Sequence, residues 1–302
     1  GGPSVPPSQP IPTTPHTPPP PPPAPPPPPT GTVRVAEIAF PPQFSYCPKI
    51  ITTSGLHMKA LPLFALSFLS VLPLSSQAIP LNDDFALLVD LTLASDYRTR
   101  GISQTQNDPA VQAGLTLAHS SGLYLGAWSS NVDFGGGLKT RQEVDYYGGW
   151  LWQATEDVSL DLGYIKYAYP KESQFNQSEV YGILGVYGVK LAAYYSSDAP
   201  GIDSKQSSLY SYIGYETELP YDSGLKLRYG NMDFKDPHLY SASGQAEDSY
   251  REWEVKLTHN LAGVVLGLSY IDTDLSQTQC LSNWGFKDVC TATVVASVSK
   301  SF

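Results

Sequence analysis

Beyond Ala78 the sequence has no apolar run approaching the roughly 20 residues that a membrane-spanning helix requires, which excludes a helical membrane protein. Histidine is scarce. Only His119, His238 and His259 follow Ala78, and a serine nucleophile needs a histidine base oriented by a third group. His119 and His259 fall near short turns, His238 lies beside Pro237 in a long loop, and none sits in a recognisable serine-hydrolase motif. Cysteine is scarcer still: of three in the chain, Cys47 lies far upstream, and Cys280 and Cys290 have no histidine or further cysteine near them to complete a metal site. No metal or cofactor is expected. From Ile79 onward 15 Lys and Arg face 27 Asp and Glu, a net charge of −12 with histidine neutral. Nucleic acid is therefore excluded as a partner, since phosphate contacts need clustered basic residues.

The chain divides into three regions of different composition. Residues 1–57 are dominated by proline, including Pro18 to Pro23 and Pro25 to Pro29. Proline lacks the backbone donor and fixes φ, so this stretch is expected to be polyproline II or disordered. At Met58 the text changes. Lys59, an apolar core from Leu61 to Leu74, and the small-x-small ending Ser76-Gln77-Ala78 are the three parts of a secretory signal peptide over 58–78. Pro62 and Pro73 make it a poor permanent anchor. A signal peptide does not work from behind a long proline tail, so translation is expected to begin at Met58, with residues 1–57 upstream of the true start. An exported chain meets an oxidising compartment, and Cys280 and Cys290 are then expected to form a disulfide.

Residues 79–302 read as twelve strand-sized segments of period-2 alternation: 85–95, 109–119, 123–131, 142–152, 158–168, 178–186, 189–197, 207–219, 225–234, 250–259, 264–272 and 291–302. In the first, Phe85, Leu87, Val89, Leu91 and Leu93 alternate with Ala86, Leu88, Asp90, Thr92 and Ala94. Alternation of this kind signals two faces in different surroundings. The connections alternate between short (120–122, 153–157, 187–188, 220–224, 260–263) and long (96–108, 132–141, 169–177, 198–206, 235–249, 273–290). An even number of antiparallel strands joined in this way is the build of a transmembrane β-barrel, so an all-β barrel of about twelve strands is expected, with both termini on the short-turn, periplasmic side. Tyr97, Tyr146, Tyr164, Tyr195, Tyr229 and Tyr270 sit towards strand ends, where an amphipathic ring meets lipid headgroups. That places the chain in the outer membrane of a Gram-negative bacterium, against lipid and lipopolysaccharide. The final segment ends on Phe302 with Ala292, Val294, Ala296 and Val298 on one face, which resembles the C-terminal signal read by the barrel assembly machinery. Lys300 departs from that apolar face, where its stem can snorkel.

The run Leu93-Ala94-Ser95-Asp96-Tyr97-Arg98-Thr99-Arg100-Gly101-Ile102-Ser103-Gln104, followed by Asn107-Asp108-Pro109-Ala110, resembles the opening motif of a proteobacterial family of about this mature length, the TorF family, to which a porin label is attached. Further matches are Gly122-Leu123-Tyr124, Ser130-Asn131-Val132-Asp133-Phe134, Tyr270-Ile271-Asp272-Thr273-Asp274, and Val298-Ser299-Lys300-Ser301-Phe302. The resemblance covers essentially the mature chain and implies an outer-membrane barrel and a channel, with no established substrate.

Two sets of residues are candidate sites. The inward parity collects Asp90, Asp145, Asp161, Lys190, Glu216, Glu218, Lys226, Arg228, Glu252, Glu254 and Lys256 as pore-lining charges. Unpaired charge is too costly for a dry core, so the lumen holds water or these groups pair across it. Asp96, Asp133, Asp198, Asp233, Asp272 and Asp274 end strands at the expected outer rim. They form either a ring that concentrates cations at a mouth or simple strand ends, because Asp bonds its own backbone at turns. With seven acidic and four basic residues in the inward set, a channel for small solutes or ions is expected to prefer cations. The alternatives are a surface or adhesion barrel with a salt-bridged, plugged lumen and, further off, an outer-membrane lipid hydrolase. The oligomeric state is not legible.

Overall fold

The computed structural model describes residues 78–302, apart from 202, 203, 238 and 242. The expected proline-rich region 1–57, the signal peptide up to Gln77, and His238 lie outside the described residues. Among those described, twelve long strands form one closed antiparallel sheet: β1 (Phe85–Ala94), β2 (Ala110–His119), β3 (Leu123–Asn131), β4 (Gln142–Thr155), β5 (Val158–Ala168), β6 (Gln177–Val186), β7 (Val189–Ala199), β8 (Gln206–Leu219), β9 (Ser223–Phe234), β10 (Ser249–Leu261), β11 (Val264–Thr273) and β12 (Thr293–Ser301). Each strand pairs with its successor, and β12 returns to β1 from Ser297↔Ala94 to Ser301↔Asp90. At this seam the Ser301 hydroxyl donates to Asp90, and Thr92 donates to Ser299 at 2.9 Å. The Phe302 N–H donates to the Val89 carbonyl at 2.9 Å, and its own carbonyl accepts from Val89 N–H at 3.2 Å. Where β12 runs out, Ile79–Pro80 pairs with Leu87 and Ala86 and covers the rest of the β1 edge. Closure satisfies the backbone groups within the sheet, which is the condition for a sheet to sit in lipid.

Alternation puts the apolar side chains outside. Leu91 and Leu93 are 48% and 58% exposed, whereas Asp90, the inward-facing residue before Leu91, is 9% exposed. Every strand contributes to this belt: Leu93, Val111, Leu125, Trp150, Leu162, Val180, Leu191, Ile213, Leu227, Leu257, Leu268 and Val294 are all exposed. A belt of that extent is an interaction surface rather than ordinary scatter. Tyr146, Tyr164, Tyr195, Tyr229 and Tyr270 form an exposed row towards the long-loop rim, and Trp150, Trp152, Tyr187 and Tyr221 a second towards the other rim. These are the two aromatic girdles of a membrane-spanning barrel.

Five tight turns close one rim. Several strands outrun their expected ends: β4 continues to Thr155 through a bulge after Gln153, and β10 reaches Leu261. The turn at 262–263 is then only two residues, both at positive φ (Ala262 53°, Gly263 77°), the geometry that matches strand twist. At the equivalent Tyr187-Gly188 turn a Cβ on Gly188 would stand 2.4 Å from the Glu216 carbonyl oxygen. At the other rim lie six longer loops, L1 (95–109), L2 (132–141), L3 (169–176), L4 (200–205), L5 (235–248) and L6 (274–292). L6 contains a helix absent from the sequence reading, α1 (Gln277–Trp284). It begins with a capping box between Ser276 and Gln279 and ends on Gly285 in the left-handed region at φ 80°. Cys280 on α1 is bonded to Cys290, with both residues fully buried.

Candidate functional site: the barrel lumen

The site begins with L1, the segment of the twelve-residue motif singled out above. Arg98–Thr99 and Ile102–Ser103 pair as a miniature hairpin, whose two tip residues, Arg100 (φ 51°) and Gly101 (φ 83°), both lie in the left-handed region. Gly101 is required by contact as well as conformation, because a Cβ there would be 2.4 Å from Thr273 Cγ2. The base of the hairpin is tied by Asp96. Its carboxylate accepts from Arg98 Nε at 2.7 Å, Ser103 Oγ at 2.6 Å and Thr105 Oγ1 at 3.0 Å. Arg98 also donates to the carbonyls of Gly101 and Thr291, at 3.0 and 2.9 Å.

So braced, the hairpin enters the lumen and its tip meets the far wall. Arg100 Nη2 donates to Glu179 Oε2 on β6 at 2.7 Å, and both side chains are buried. The guanidinium lies 4.5 Å from the ring centroid of Tyr210 and 5.7 Å from that of Tyr194, a desolvated cation–π setting. Tyr250 on β10 donates to the Arg100 carbonyl at 3.1 Å. Burial opposes the charge on Arg100, but Glu179 raises its pKa, so the guanidinium stays protonated. Tyr97, at the root of the loop, packs edge-on against Trp128 with centroids 5.3 Å apart and donates to Glu143 at 3.3 Å.

Tyrosines fill the lumen wall from β3 to β8. Tyr124 donates to Asp161 at 2.6 Å, and its oxygen lies 2.5 Å from that of Tyr181. Tyr181 stacks on Tyr194 at 5.1 Å, and Tyr194 leads on to Tyr210 at 6.1 Å. Inward glycines make room for the rings: a Cβ on Gly163 would be 2.4 Å from Tyr181 Cζ, and one on Gly126 would be 2.5 Å from Tyr147 Cζ.

The inward charges separate into two groups. Asp145 and Asp161 are buried in the β4–β5 wall, and Glu252 is held by Tyr210 at 2.5 Å and by Arg228 Nε at 2.9 Å. Glu218 is exposed near the short-turn end of β8. The remaining seven, Asp90, Lys190, Glu216, Lys226, Arg228, Glu254 and Lys256, line one cavity of about 180 Å³ between L1 and the short-turn rim. Four are basic and three acidic. The excess of acids in the inward set thus resides in groups that do not line the cavity.

The six rim aspartates make no common ring. Asp96 is drawn inside as the base of L1 and is buried. Asp133 accepts from Gln106 Nε2 and Gly135 N–H, both at 2.8 Å; Asp198 accepts from Ser178 N–H at 2.7 Å; and Asp274 accepts from Arg251 N–H at 2.8 Å. Asp272 accepts from Thr273 N–H at 2.8 Å, while Asp233 is exposed on the outward face of β9. This is strand-end chemistry, with local N–H groups satisfied by the nearest carboxylate. Tyr97 likewise leaves the expected girdle for the lumen, because its loop turns inward. His119 and His259 lie at the short-turn rim, 2.8 and 3.1 Å from the Ser121 and Ser223 hydroxyls. The inward tyrosines and the Arg100 latch went unread in the sequence, although Tyr194 shares the parity of Lys190, and Tyr210 that of Glu216.

A closed antiparallel sheet with an apolar belt, two aromatic girdles and a charged interior defines a transmembrane β-barrel. The chain belongs to the Gcw_chp family, described as a bacterial protein of unknown function, whose pattern matches residues 82–302. Among solved structures it is similar to the NanC porin (11% identity, TM-score 0.46, covering 70% of this chain and 97% of that one) and to the KdgM porin (11%, 0.43, 71% and 99%). OccAB3 of Acinetobacter baumannii is more distant, at 10% identity and TM-score 0.36, covering 74% of this chain and 66% of that one. No curated protein matches the sequence.

Proposed function

We propose that this barrel is an outer-membrane channel for small hydrophilic solutes, with L1 as its constriction and the short-turn rim facing the periplasm. The observation that carries the reading is the division of the lumen at L1. On one side the loop is packed and buried; on the other, lysines and carboxylates face a cavity, and such groups need water. The TorF-like motif belongs to the same reading, since it is the sequence of the constricting hairpin itself. Phe302, through its two backbone bonds to Val89, is the element through which the assembly machinery would bring the seam together. The cation preference expected from the inward charge count finds no support in the cavity, where basic residues outnumber acidic ones.

A second reading, a plugged structural or adhesion barrel, is favoured by the density of contacts around Arg100. Liposome swelling separates the two. Vesicles carrying purified barrel should swell in small uncharged sugars with a sharp size cut-off, and Arg100→Ala should move that cut-off upward. No swelling with either protein would leave the plugged barrel standing.

A further inference from the structure

The cavity below L1 has an unbalanced arrangement of charge. Lys226 on β9 is the cross-strand partner of both Glu216 on β8 and Lys256 on β10. Two ammonium groups therefore project side by side into one space, which the Glu216 and Glu254 carboxylates also line. Glu216 is committed to Lys226 at 3.4 Å, and Glu254 to Arg228 at 3.1 Å. No ion pair among the described residues includes Lys190 or Lys256. Both nevertheless line the cavity and are only partly exposed.

The neighbours leave room at these lysines and add a donor. Lys190 is flanked in register by Gly185 on β6 and Gly214 on β8, so no side chain stands beside it on either strand. Lys256 faces Ser269 on β11, and its Cε would lie 3.3 Å from a Cβ placed on Gly267. Ser297 Oγ also flanks that glycine. Like charges held this close repel, and a bound anion relieves the repulsion while gaining charge-assisted hydrogen bonds.

We propose that Lys190 and Lys256, on either side of the Lys226–Glu216 pair, form a binding site for a small multivalent oxyanion, a phosphate or a dicarboxylate. Ser297, beside Gly267, supplies a hydroxyl donor, while the Ser269 hydroxyl is bonded to Glu254. As a transport site it rests on the channel reading above; as a binding site it requires only access to the cavity from the short-turn rim. Glu216 tunes it, because neutralising that carboxylate removes a negative charge from the space between the two lysines.

The test uses the full barrel in detergent, with equilibrium dialysis of labelled inorganic phosphate and planar-bilayer recordings of the same preparations. Lys190→Gln with Lys256→Gln should weaken phosphate binding roughly ten-fold or more, and Glu216→Gln should tighten it several-fold. The second variant is a gain of binding, so misfolding does not imitate it. Unchanged phosphate binding in the double lysine variant, or weaker binding in Glu216→Gln, would overturn the site even if the bilayer shows conductance. Lysine-dependent phosphate binding with silent bilayers would keep the site and remove the channel. An absence of phosphate binding by the unmodified protein would also overturn the site.

Discussion

Arg100, at the tip of a loop rooted in β1 and β2, donates to Glu179 on β6 at 2.7 Å with both side chains buried. One ion pair thus ties L1 to a distant part of the wall and holds the hairpin across the lumen. The tyrosines around it make the pair a desolvated one, with Tyr167 donating to the same Glu179 oxygen at 3.0 Å.

Breaking such a pair from one side leaves an uncompensated charge in a poorly hydrated place. Arg100→Ala should therefore destabilise the barrel by about 3–5 kcal/mol. Adding Glu179→Gln should recover part of that loss, because the orphaned carboxylate is removed. Urea unfolding in detergent micelles measures both. Equal loss in the single and double variants would show that the latch acts through packing rather than charge.

Glycines facing rings make a second prediction. Gly163→Ala would put a methyl 2.4 Å from the Tyr181 ring, and Tyr181 is held by both Tyr124 and Tyr194. The ring has little freedom to retreat, so overpacking of about 1–3 kcal/mol is expected. Gly182→Ala, on the adjacent strand, meets only Leu162 Cδ2 at 3.3 Å and should be much milder. The same unfolding experiment ranks the two.

The tyrosine wall shows how far the sequence was legible. Strand number, the apolar face and the girdle tyrosines follow from period-2 alternation, which a closed barrel enforces on every strand. Tyr124, Tyr181, Tyr194 and Tyr210 share the inward parity but carry no sign of the wall they build, because alternation says which face a ring occupies and not what it meets there. The charge balance of the cavity was less legible still. Glu252 counts as inward like Glu254, yet only their different cross-strand neighbours decide that one is buried beneath Tyr210 and Arg228 while the other borders the cavity. The inward turn of L1 depends on contacts from Tyr97 and Arg100 to strands far away in the chain, which no local pattern contains.

The disulfide in L6 closes a loop of ten residues in sequence separation, for which the chain-entropy model gives about 2–3 kcal/mol. Cys280→Ser with Cys290→Ser should loosen α1 and leave the membrane-spanning sheet intact. Limited proteolysis should then cut within 274–292 several times faster, with unchanged heat-modifiable migration of the barrel on gels. Equal cleavage rates would show that the capping box and Gly285 suffice to hold the loop.

L2 and L3 are tied by Glu172, whose carboxylate accepts from the Lys139 N–H at 2.9 Å and from Gln174 Nε2 at 2.6 Å. These bonds, that from the Lys139 backbone foremost, hold the Glu172 pKa below the ordinary glutamate value. A depressed carboxylate pKa means the tie is present above the ordinary value and is lost as pH falls through the lowered one. Hydrogen exchange at the Lys139 amide, corrected for its intrinsic pH dependence, should lose protection on acidification below the ordinary glutamate range. In Glu172→Gln that pH dependence should disappear.

Single-channel recording of the purified barrel in a planar bilayer tests the central claim, that L1 constricts a conducting lumen and Arg100 holds it in place. The account predicts small, discrete openings for the unmodified protein and distinctly larger ones for Arg100→Ala, with that increase confined to variants that release L1. Silent bilayers from both proteins, each shown to be folded and inserted, would contradict it.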